Sequence, residues 1–385
     1  MADKLRVAVV GTGFGKHHVR TFQAHSRATV VAVCSTDQDR ANESAIEVGV
    51  PKGYGDYRRM LDDHEIDALC IATHPAAHAE LSMAALLSGR HVMCTKPLGV
   101  NLKEAWDVLQ IARTGGCIHA IDQNLRFTPV TMFAKSLIDS GAIGMPLFAN
   151  SSMFLCVAKY FSNAQASPNK NAWFRSRQRG GGFLLADAAH QFDRLLWYFG
   201  SVRTVSGFAR TAMPRVKAED GTVYECDADD SYVGVFEFEN GMTATSTFTP
   251  VSWPGNERRL EVHGDRGSIL LAGPAWDRDI KLATNGDSNY NSIDIPSEFQ
   301  PADLPRGVSP GLYALVDRFV KACLDGAPMS PSFEDGYKTQ ELIEAVSRSG
   351  ATGARQVLPL DPKPEELRIS VTTHGASKRN RRGVC

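Results

Sequence analysis

Two side chains in this sequence, those of Lys96 and His190, combine a suitable chemistry with a suitable local setting for proton transfer. Lys96 follows the short apolar run 92–94, which reads as a strand, and precedes a proline. A partly desolvated lysine there can bond a substrate hydroxyl or carbonyl and help to move its proton. His190 lies on a predicted helix that follows three glycines, and it titrates near neutral pH, which suits acid–base work on a secondary alcohol. The alternatives are a surface lysine before a turn and a structural helix histidine.

Two carboxylates lie close to the histidine in sequence. Asp187 and Asp193 stand three residues before and after His190, near enough on a helix to orient its ring. We therefore predict Lys96, His190 and Asp187 as the catalytic residues.

A glycine turn near the N-terminus provides the second chemical signal. Gly11 permits a tight turn after an apolar strand, and Gly13 lets the backbone approach a pyrophosphate. The helix that follows points its free N–H groups at the phosphates. The third glycine of the usual pattern is displaced, because Gly15 stands one place before Lys16. The predicted dinucleotide-binding residues are Gly11, Thr12, Gly13, Phe14, Gly15, Ser35, Thr36, Arg40, Thr73, His78 and Lys96.

The end of the second predicted strand bears on the type of dinucleotide. Ser35 and Thr36 come first, and Arg40 follows one turn later. Hydroxyls and a guanidinium suit a 2′-phosphate, so we predict NADP(H) in preference to NAD(H). Asp37 is the counter-argument, because a carboxylate there could bond the ribose hydroxyl of NAD.

The elements that must position these groups fall into two regions. Between residues 5 and 125, short apolar strands alternate with helical patterns, which predicts a parallel doubly wound sheet of the Rossmann type. From about residue 145, strand-like runs follow one another with few helices between them, which predicts a mainly antiparallel sheet. The predicted strands are 5–10, 29–34, 67–72, 91–95, 117–121, 146–157, 202–212, 230–239, 242–250, 258–263 and 267–271. The predicted helices are 15–25, 38–48, 76–88, 101–114, 129–140, 181–199, 310–325 and 334–349.

We therefore expect an α/β protein of two domains. Residues 1–125 form the dinucleotide-binding domain, and residues 126–365 form an α/β domain with a large open sheet for substrate binding and oligomerisation. Residues 366–385 form a basic tail without apolar periodicity, which we expect to be flexible.

The bulk composition excludes several classes of function. The chain has 385 residues and a net charge of −1, so no overall field attracts nucleic acid or a membrane surface. None of its eight cysteines forms a C-x-x-C pair, which favours a reduced, cytoplasmic setting over disulfides or zinc. No apolar run reaches the length of a membrane span, and the N-terminus lacks a signal-peptide core. We predict a small-molecule substrate, no metal, no nucleic acid and no membrane.

Five features taken together resemble the Gfo/Idh/MocA family of oxidoreductases over residues 5 to about 360. They are the glycine turn, the segment Cys94-Thr95-Lys96-Pro97-Leu98, the glycine-led helix ending in His190, the segment 261–268, and Asp335-Gly336 opening a late helix. The resemblance implies a Rossmann domain followed by a domain with a large open sheet, commonly used for oligomerisation. It also implies hydride transfer to or from a nicotinamide, usually on sugars, inositols or related cyclic alcohols.

The resemblance also implies roles for individual residues. Lys96 matches the lysine that contacts the reacting oxygen, and His190 matches the histidine that acts as acid or base. Arg126 matches a position that often lines the active site, and Tyr160 and Trp173 flank the expected substrate mouth. Two positions depart from the family pattern: Thr95 replaces a usual glutamate, and Ala186 replaces an aspartate found in many sugar dehydrogenases of the family.

The loop 169–179 bears on the substrate, since it carries four basic residues and no acid. It could be a solvated loop, or it could recognise a carboxylate or phosphate through arginine forks, with Trp173 adding a stacking surface. We predict Arg126, Trp173 and Arg175 as substrate-binding residues.

The sequence thus predicts an NAD(P)-dependent dehydrogenase or reductase of a cyclic secondary alcohol or its ketone, such as a sugar, sugar acid, inositol or cyclic diol, in a homodimer or homotetramer. The alternatives are a cofactor-recycling lyase or glycosidase and a non-catalytic nucleotide-sensing regulator.

Overall fold

A computed structural model gives the architecture of the chain. It describes residues 4–156, 172–217, 223–252, 255, 257–273, 279–300 and 303–362. Tyr160 and the basic tail 366–385 lie outside these residues.

The N-terminal region forms a six-stranded, fully parallel sheet in the order β3-β2-β1-β4-β5-β6. Its strands are β1 (Leu5–Val10), β2 (Ala28–Cys34), β3 (Lys52–Tyr54), β4 (Ala68–Ile71), β5 (His91–Thr95) and β6 (His119–Asp122). This order places the carboxyl ends of β1, β4, β5 and β6 side by side, which is where ligands bind in open parallel sheets.

Helices connect these strands and begin and end at recognisable signals. They are α1 (Gly15–Gln23), α2 (Gln38–Val48), α3 (Tyr57–Leu61), α4 (His78–Leu87), α5 (Leu102–Gly115) and α6 (Pro129–Asp139). Asp37 and Asn101 cap the N-termini of α2 and α5 by accepting backbone N–H bonds. Short 3₁₀ helices cover Pro75–Ala77 and Asn124–Phe127.

The second sheet has nine strands in the order β16-β15-β14-β13-β7-β12-β11-β8-β17. Its strands are β7 (Pro146–Phe154), β8 (Val202–Arg210), β11 (Ser231–Phe238), β12 (Thr243–Thr249), β13 (Glu257–Gly264), β14 (Gly267–Gly273), β15 (Ile280–Thr284), β16 (Asn291–Ser292) and β17 (Gln356–Val357). The two strands β9 (Arg215–Lys217) and β10 (Val223–Glu225) form a separate hairpin. All pairs in the large sheet are antiparallel except β7 with β12, so the prediction of a large, mainly antiparallel sheet is confirmed.

The helix predicted over 181–199 is interrupted. It consists of α7 (Phe183–Ala186) and α8 (Ala188–Phe199), with Asp187 between them. Helix α8 packs on the large sheet through Phe192, whose ring lies edge-on to those of Tyr232 and Phe236. The break lies beside the first sheet, because Lys96, which follows β5, bonds the carbonyl oxygen of Ala186 there.

The last two helices return to the first sheet, one on each face. Helix α9 (Pro310–Asp325) packs with α1, where Phe319 contacts Phe22. Helix α10 (Phe333–Thr352) starts with a capping box at Ser332, and Phe333 joins the core beside α4 and α5. A division of the chain at residue 125 therefore does not describe the packing of these two helices.

No helix in the described ranges is long and apolar enough to cross a membrane. The seven cysteines that the structure describes are all free thiols.

Candidate active site

The glycine turn after β1 has the geometry of a dinucleotide cradle. Gly11 has φ +112°, and a Cβ there would lie 2.3 Å from the carbonyl oxygen of Ala72, so only glycine fits. At Gly13 a Cβ would meet nothing within 4 Å, which leaves room for a ligand against the backbone. Gly11 thus provides the close turn, and Gly13 the open approach.

Gly15 supplies the close contact between helix and strand. A Cβ there would lie 3.1 Å from Val9 Cγ1, so this glycine does the packing work of the third glycine despite its shifted position. No side chain caps the N-terminus of α1 at Phe14, which is exposed, and Thr12 is half-buried in the turn. The open turn and the uncapped helix end fit a pyrophosphate.

The end of β2 offers polar groups at the far side of this cradle. Thr36 and Arg40 are exposed and Ser35 is half-buried. Asp37 uses Oδ1 to accept the Arg40 N–H bond at 2.8 Å, which caps α2. Its second carboxylate oxygen could still accept a ribose hydroxyl, so this strand end holds groups suited to either dinucleotide.

His78, a predicted cofactor residue, is buried and holds two loops together instead of facing the open crevice. Its Nδ1 donates to Pro97 O at 2.6 Å. Its Nε2 lies 3.1 Å from Thr73 O and 3.3 Å from Thr95 Oγ1. His78 therefore positions the ends of β4 and β5, and through them Thr73 and Lys96.

Lys96 projects from the end of β5 into the break between α7 and α8. Its Nζ donates to Ala186 O at 2.5 Å. Burial lowers the pKa of this amine, and the negative charges of Asp187 and Asp122 partly offset that effect. The cofactor side of the crevice and the second domain meet at this bond.

Asp187 carries the carboxylate whose charge opposes the lowering of the Lys96 pKa most strongly. Burial raises the pKa of Asp187, against the attraction of Lys96 and of Arg258 on β13. The structure thus brings together the charges of Lys96, Asp187 and Arg258, which are spread over 162 positions of the sequence.

His190 lies on the first turn of α8, on the same side of the break. Its Nδ1 is 2.8 Å from Gln123 Oε1, and Gln123 Nε2 donates to Ala189 O at 3.2 Å. Burial and the positive charges of Lys96 and Arg194 hold the pKa of His190 well below its usual value. The ring is therefore neutral at neutral pH.

A second buried histidine supports the same strand ends from the cofactor side. His18 Nε2 lies 2.9 Å from Asp122 Oδ2, and the backbone N–H of Asn124 donates to Asp122 Oδ1 at 3.2 Å. Asp122 pairs in register with Thr95, the neighbour of Lys96. This carboxylate therefore ties the start of α1 to the strand beside the lysine.

Arg126 takes a different place from the one predicted. Its guanidinium is buried and bonds both carboxylate oxygens of Asp193, at 2.7 and 2.5 Å, and Asp335 at 3.0 Å. Asp193 is consequently engaged by Arg126 and does not orient His190. The substrate role of Arg126 stays a prediction, and these contacts weigh against it.

The loop leading to α7 carries the remaining predicted substrate residues, of which Arg175 is buried. Trp173 is half-buried with its ring edge-on to Phe174, whereas the Arg175 guanidinium lies 3.9 Å from the centre of the Tyr224 ring. Arg177 and Arg179 are exposed. Their short 3₁₀ helix contacts the one at Pro75–Ala77 on the cofactor domain. Among the described basic residues of the loop, these two side chains are the most open to a ligand.

Three residues of the constellation carry no role in the sequence-based prediction: Gln123, Asp122 and Arg258. Asp122 is the last residue of β6 and Gln123 follows it. The rule that ligands bind at the carboxyl ends of parallel strands could therefore have identified both residues. Arg258 lies within a strand of the second sheet and gives no comparable signal. Within the described residues, no group of three or more His, Cys, Asp or Glu side chains could hold a metal ion.

Known proteins share this architecture over nearly the whole chain. Levoglucosan dehydrogenase from Pseudarthrobacter phenanthrenivorans is 26% identical, covering 91% of this chain and 97% of its own. Inositol 2-dehydrogenase 2 from Saccharopolyspora erythraea is 26% identical, covering 94% and 97%. A solved levoglucosan dehydrogenase in complex with NADH and L-sorbose superposes with a TM-score of 0.81 at 25% identity, covering 92% and 99%.

Two family models match this chain. Residues 5–123 match an oxidoreductase family with an NAD-binding Rossmann fold, and residues 131–270 match the GFO/IDH/MocA C-terminal domain. Together with the two sheets and the crevice between them, these matches show that the chain belongs to the Gfo/Idh/MocA family of oxidoreductases.

Proposed function

We propose that the protein is a nicotinamide-dependent dehydrogenase or reductase that moves hydride between its cofactor and the carbon of a cyclic secondary alcohol or ketone. The hydrogen bond from Lys96 Nζ to Ala186 O carries this proposal. It joins the cofactor side of the crevice to the helix break at Asp187, beside the first turn of α8 that carries His190. A reacting C–O group beside the nicotinamide would meet both an ammonium and a neutral imidazole.

The side chains divide the work of alcohol oxidation. The bound nicotinamide supplies or accepts the hydride. His190, held neutral, takes the hydroxyl proton, and Lys96 donates a hydrogen bond to the oxygen and stabilises its developing negative charge. Asp187 and Asp122 favour the charged form of the lysine despite its burial. In ketone reduction the same groups return the proton.

The substrate class follows from the relatives and from the rim. The similar proteins are dehydrogenases named for levoglucosan and for inositols, which are cyclic polyols. The exposed Arg177 and Arg179 at the rim support a substrate that also carries a carboxylate or phosphate. We therefore propose a cyclic polyol, with sugar acids tested beside neutral sugars, inositols and cyclic diols.

The test is a panel assay that follows the absorbance of the reduced nicotinamide with each of these substrates. We expect Lys96→Ala to lower kcat/KM by about 10²–10⁴-fold, since it removes a group that acts on the reacting oxygen. Lys103→Ala is the matched control, because Lys103 is an exposed lysine paired with Asp107. Full activity of the Lys96→Ala variant would contradict the proposed role of the lysine.

The same panel separates the two alternatives. Product without net change in the nicotinamide would indicate a cofactor-recycling lyase or glycosidase. Tight nucleotide binding with no conversion of any substrate would indicate a regulator. Arg175→Ala and Arg177→Ala should both raise the KM for an anionic substrate, and an unchanged KM in both variants would contradict recognition of an anion by this loop.

We propose a preference for NADP(H), which rests on Ser35, Thr36 and Arg40. The solved relative holds NADH, and the second carboxylate oxygen of Asp37 could serve NAD(H), so the measured ratio of kcat/KM for the two cofactors decides. Arg40→Ala should lower kcat/KM with NADP more than with NAD. Tighter NAD binding in the unaltered protein would contradict the preference.

A cytoplasmic location and a homodimer or homotetramer also remain proposals. The seven free cysteines in the described ranges support a reducing compartment. The exposed apolar side chains of Phe148, Phe208 and Val235 on the large sheet support association of subunits.

A further inference from the structure

Gln123 links the first sheet to the catalytic helix. It directly follows β6, next to β5, the strand that Lys96 follows, and its side chain is almost fully buried. Both polar atoms of its amide reach neighbouring residues of α8. Nε2 contacts Ala189 O at 3.2 Å, and Oε1 contacts His190 Nδ1 at 2.8 Å.

These two contacts allow only one orientation of the amide. A carbonyl oxygen accepts hydrogen bonds and cannot donate, so the group that faces Ala189 O must be the NH₂. The reverse orientation would place two oxygens against each other in a buried place and leave both without a donor. The amide oxygen therefore faces the histidine ring.

The orientation of the amide determines which ring nitrogen of His190 carries hydrogen. Because Gln123 Oε1 only accepts, Nδ1 of His190 must be the donor. A neutral imidazole has one N–H, so Nε2 is left with its lone pair. This nitrogen points away from the glutamine and is the atom that can take a proton.

We propose that Gln123 is a positioning residue that fixes the tautomer of His190 and so makes Nε2 the atom that exchanges a proton with the substrate. The inference rests on the proposed function for its substrate half, while the tautomer itself can be observed without activity. The two carboxylates nearest in sequence do not take this place. Asp193 is bound by Arg126, and Asp187 acts on Lys96 and Arg258.

Because Gln123 is uncharged, its contact with His190 adds no charge that would raise the pKa of the ring. The charges that act on the ring are those of Lys96, which follows β5, and of Arg194 on α8, and both cations disfavour the imidazolium. Gln123 adds no negative charge to offset them. A carboxylate in its place would stabilise the imidazolium and raise the pKa of the ring.

Two variants of Gln123 test the inference through the pH profile of kcat/KM for alcohol oxidation. In Gln123→Glu, the acid limb should move to higher pH by at least one unit, because the base becomes easier to protonate. In Gln123→Met, which has a similar shape but no acceptor, kcat should fall at least tenfold, with no upward shift of the limb and little change in the KM for the nicotinamide.

Gln191→Met is the matched control. Gln191 is equally buried and adjacent to His190, but its amide bonds Ser151 and Tyr232 on the large sheet. This variant should keep the acid limb of the unaltered protein, whatever its effect on stability. A limb that stays in place in Gln123→Glu, or a shift of equal size in Gln191→Met, would overturn the proposal.

A second measurement keeps the inference separate from the proposed function. The ¹⁵N shifts of a histidine-labelled sample distinguish the Nδ1–H from the Nε2–H tautomer, with the His190→Asn variant used to assign the signal. We expect Nδ1–H in the unaltered protein and a mixture in Gln123→Met. Nε2–H in the unaltered protein would refute the inference, whereas the expected signals without turnover on any substrate would refute only the proposed function.

Discussion

At the scale of single residues, Lys96 and Asp187 oppose the cost of their own burial. Burial lowers the pKa of the lysine and raises the pKa of the aspartate, and the attraction between them works the other way in both cases. Asp122 adds a second negative charge near the lysine. The charged state of Lys96 therefore depends on two carboxylates that belong to different domains.

This balance predicts how Asp187→Asn changes activity with pH. The ammonium is the form that donates to the substrate oxygen, so activity falls as pH rises through the pKa of Lys96. Removing one negative charge lowers that pKa further, and the basic limb of the kcat/KM profile should move to lower pH. The profiles of the unaltered protein and of Asp187→Asn, measured side by side, give the shift.

Asp139→Asn serves as the control, because Asp139 is exposed and pairs with Lys135 on α6. A basic limb that does not move in Asp187→Asn would show that the aspartate does not support the charge of Lys96.

At the scale of elements, Arg126 fastens three segments to one another. It lies in the 3₁₀ turn after β6 and bonds Asp193 on α8 and Asp335 at the start of α10. Arg113 on α5 also reaches α10, through Glu334, but both of those side chains are exposed. The two arginines make similar connections in very different surroundings.

The contrast predicts unequal costs of removal. Arg126→Ala leaves two carboxylates without their buried partner and should lower the free energy of unfolding by about 3–5 kcal/mol. Arg113→Ala breaks an exposed pair and should cost about 0–1 kcal/mol. Denaturant unfolding of both variants measures the difference. Unchanged stability of Arg126→Ala together with a raised substrate KM would instead restore the predicted contact between Arg126 and substrate.

The elements also show what the sequence can and cannot predict. The alternation of apolar runs and helical patterns was sufficient for five strands of the first sheet, but β3 was missed because Lys52-Gly53-Tyr54 contains no apolar run. The parallel pairing of β7 with β12 was also missed, since strands about 90 residues apart leave no local sign of their direction. Local periodicity predicts elements, whereas pairing between distant strands requires the fold.

The residues of the candidate site also fall into those that a local sequence pattern indicates and those that it does not. Side chains at the ends of predicted parallel strands, such as Lys96 and those of the glycine turn, could be proposed from the sequence because the rule for such ends is local. The place of Asp187 in a helix break was not, because the run 181–199 reads as one continuous helix. The partnership of Gln123 with His190 joins residues 67 positions apart and has no sequence signature.

At the scale of the whole molecule, the large sheet has two unlike faces. Helices α8 and α10 cover one face. On the other, Phe148, Phe208 and Val235 are exposed, and the threonines of β12 lie between them. Exposed apolar side chains on one broad surface are typical of an association site. We therefore expect subunits to associate through this face.

Val235→Arg tests the association. A charge in the middle of the face should lower the molar mass measured by light scattering after size-exclusion chromatography, because an arginine buried there would lack a partner. Val223→Arg is the control, since Val223 is exposed on the separate β9–β10 hairpin. An unchanged mass in Val235→Arg would place the interface elsewhere.

The packing of α9 and α10 predicts that the first domain does not fold without them. Leu315 and Phe319 of α9 and Phe333 of α10 are fully buried against its two faces. A fragment of residues 1–125 would expose these faces to water, and we expect it not to fold cooperatively or bind nucleotide. Adding a peptide of residues 303–362 should restore structure seen by circular dichroism. A stable, nucleotide-binding fragment 1–125 would contradict this dependence.

The dependence of the first domain on α9 and α10 also affects when it can fold during translation. The ribosome makes the segment that cradles the dinucleotide well before it makes α9 and α10, which pack on the first sheet. At about 5–20 residues per second, the delay between residue 125 and residue 310 is roughly 10–40 s. During that time the nascent chain presents apolar surface that a chaperone can hold, and we expect the cofactor to bind only after α9 and α10 have been made.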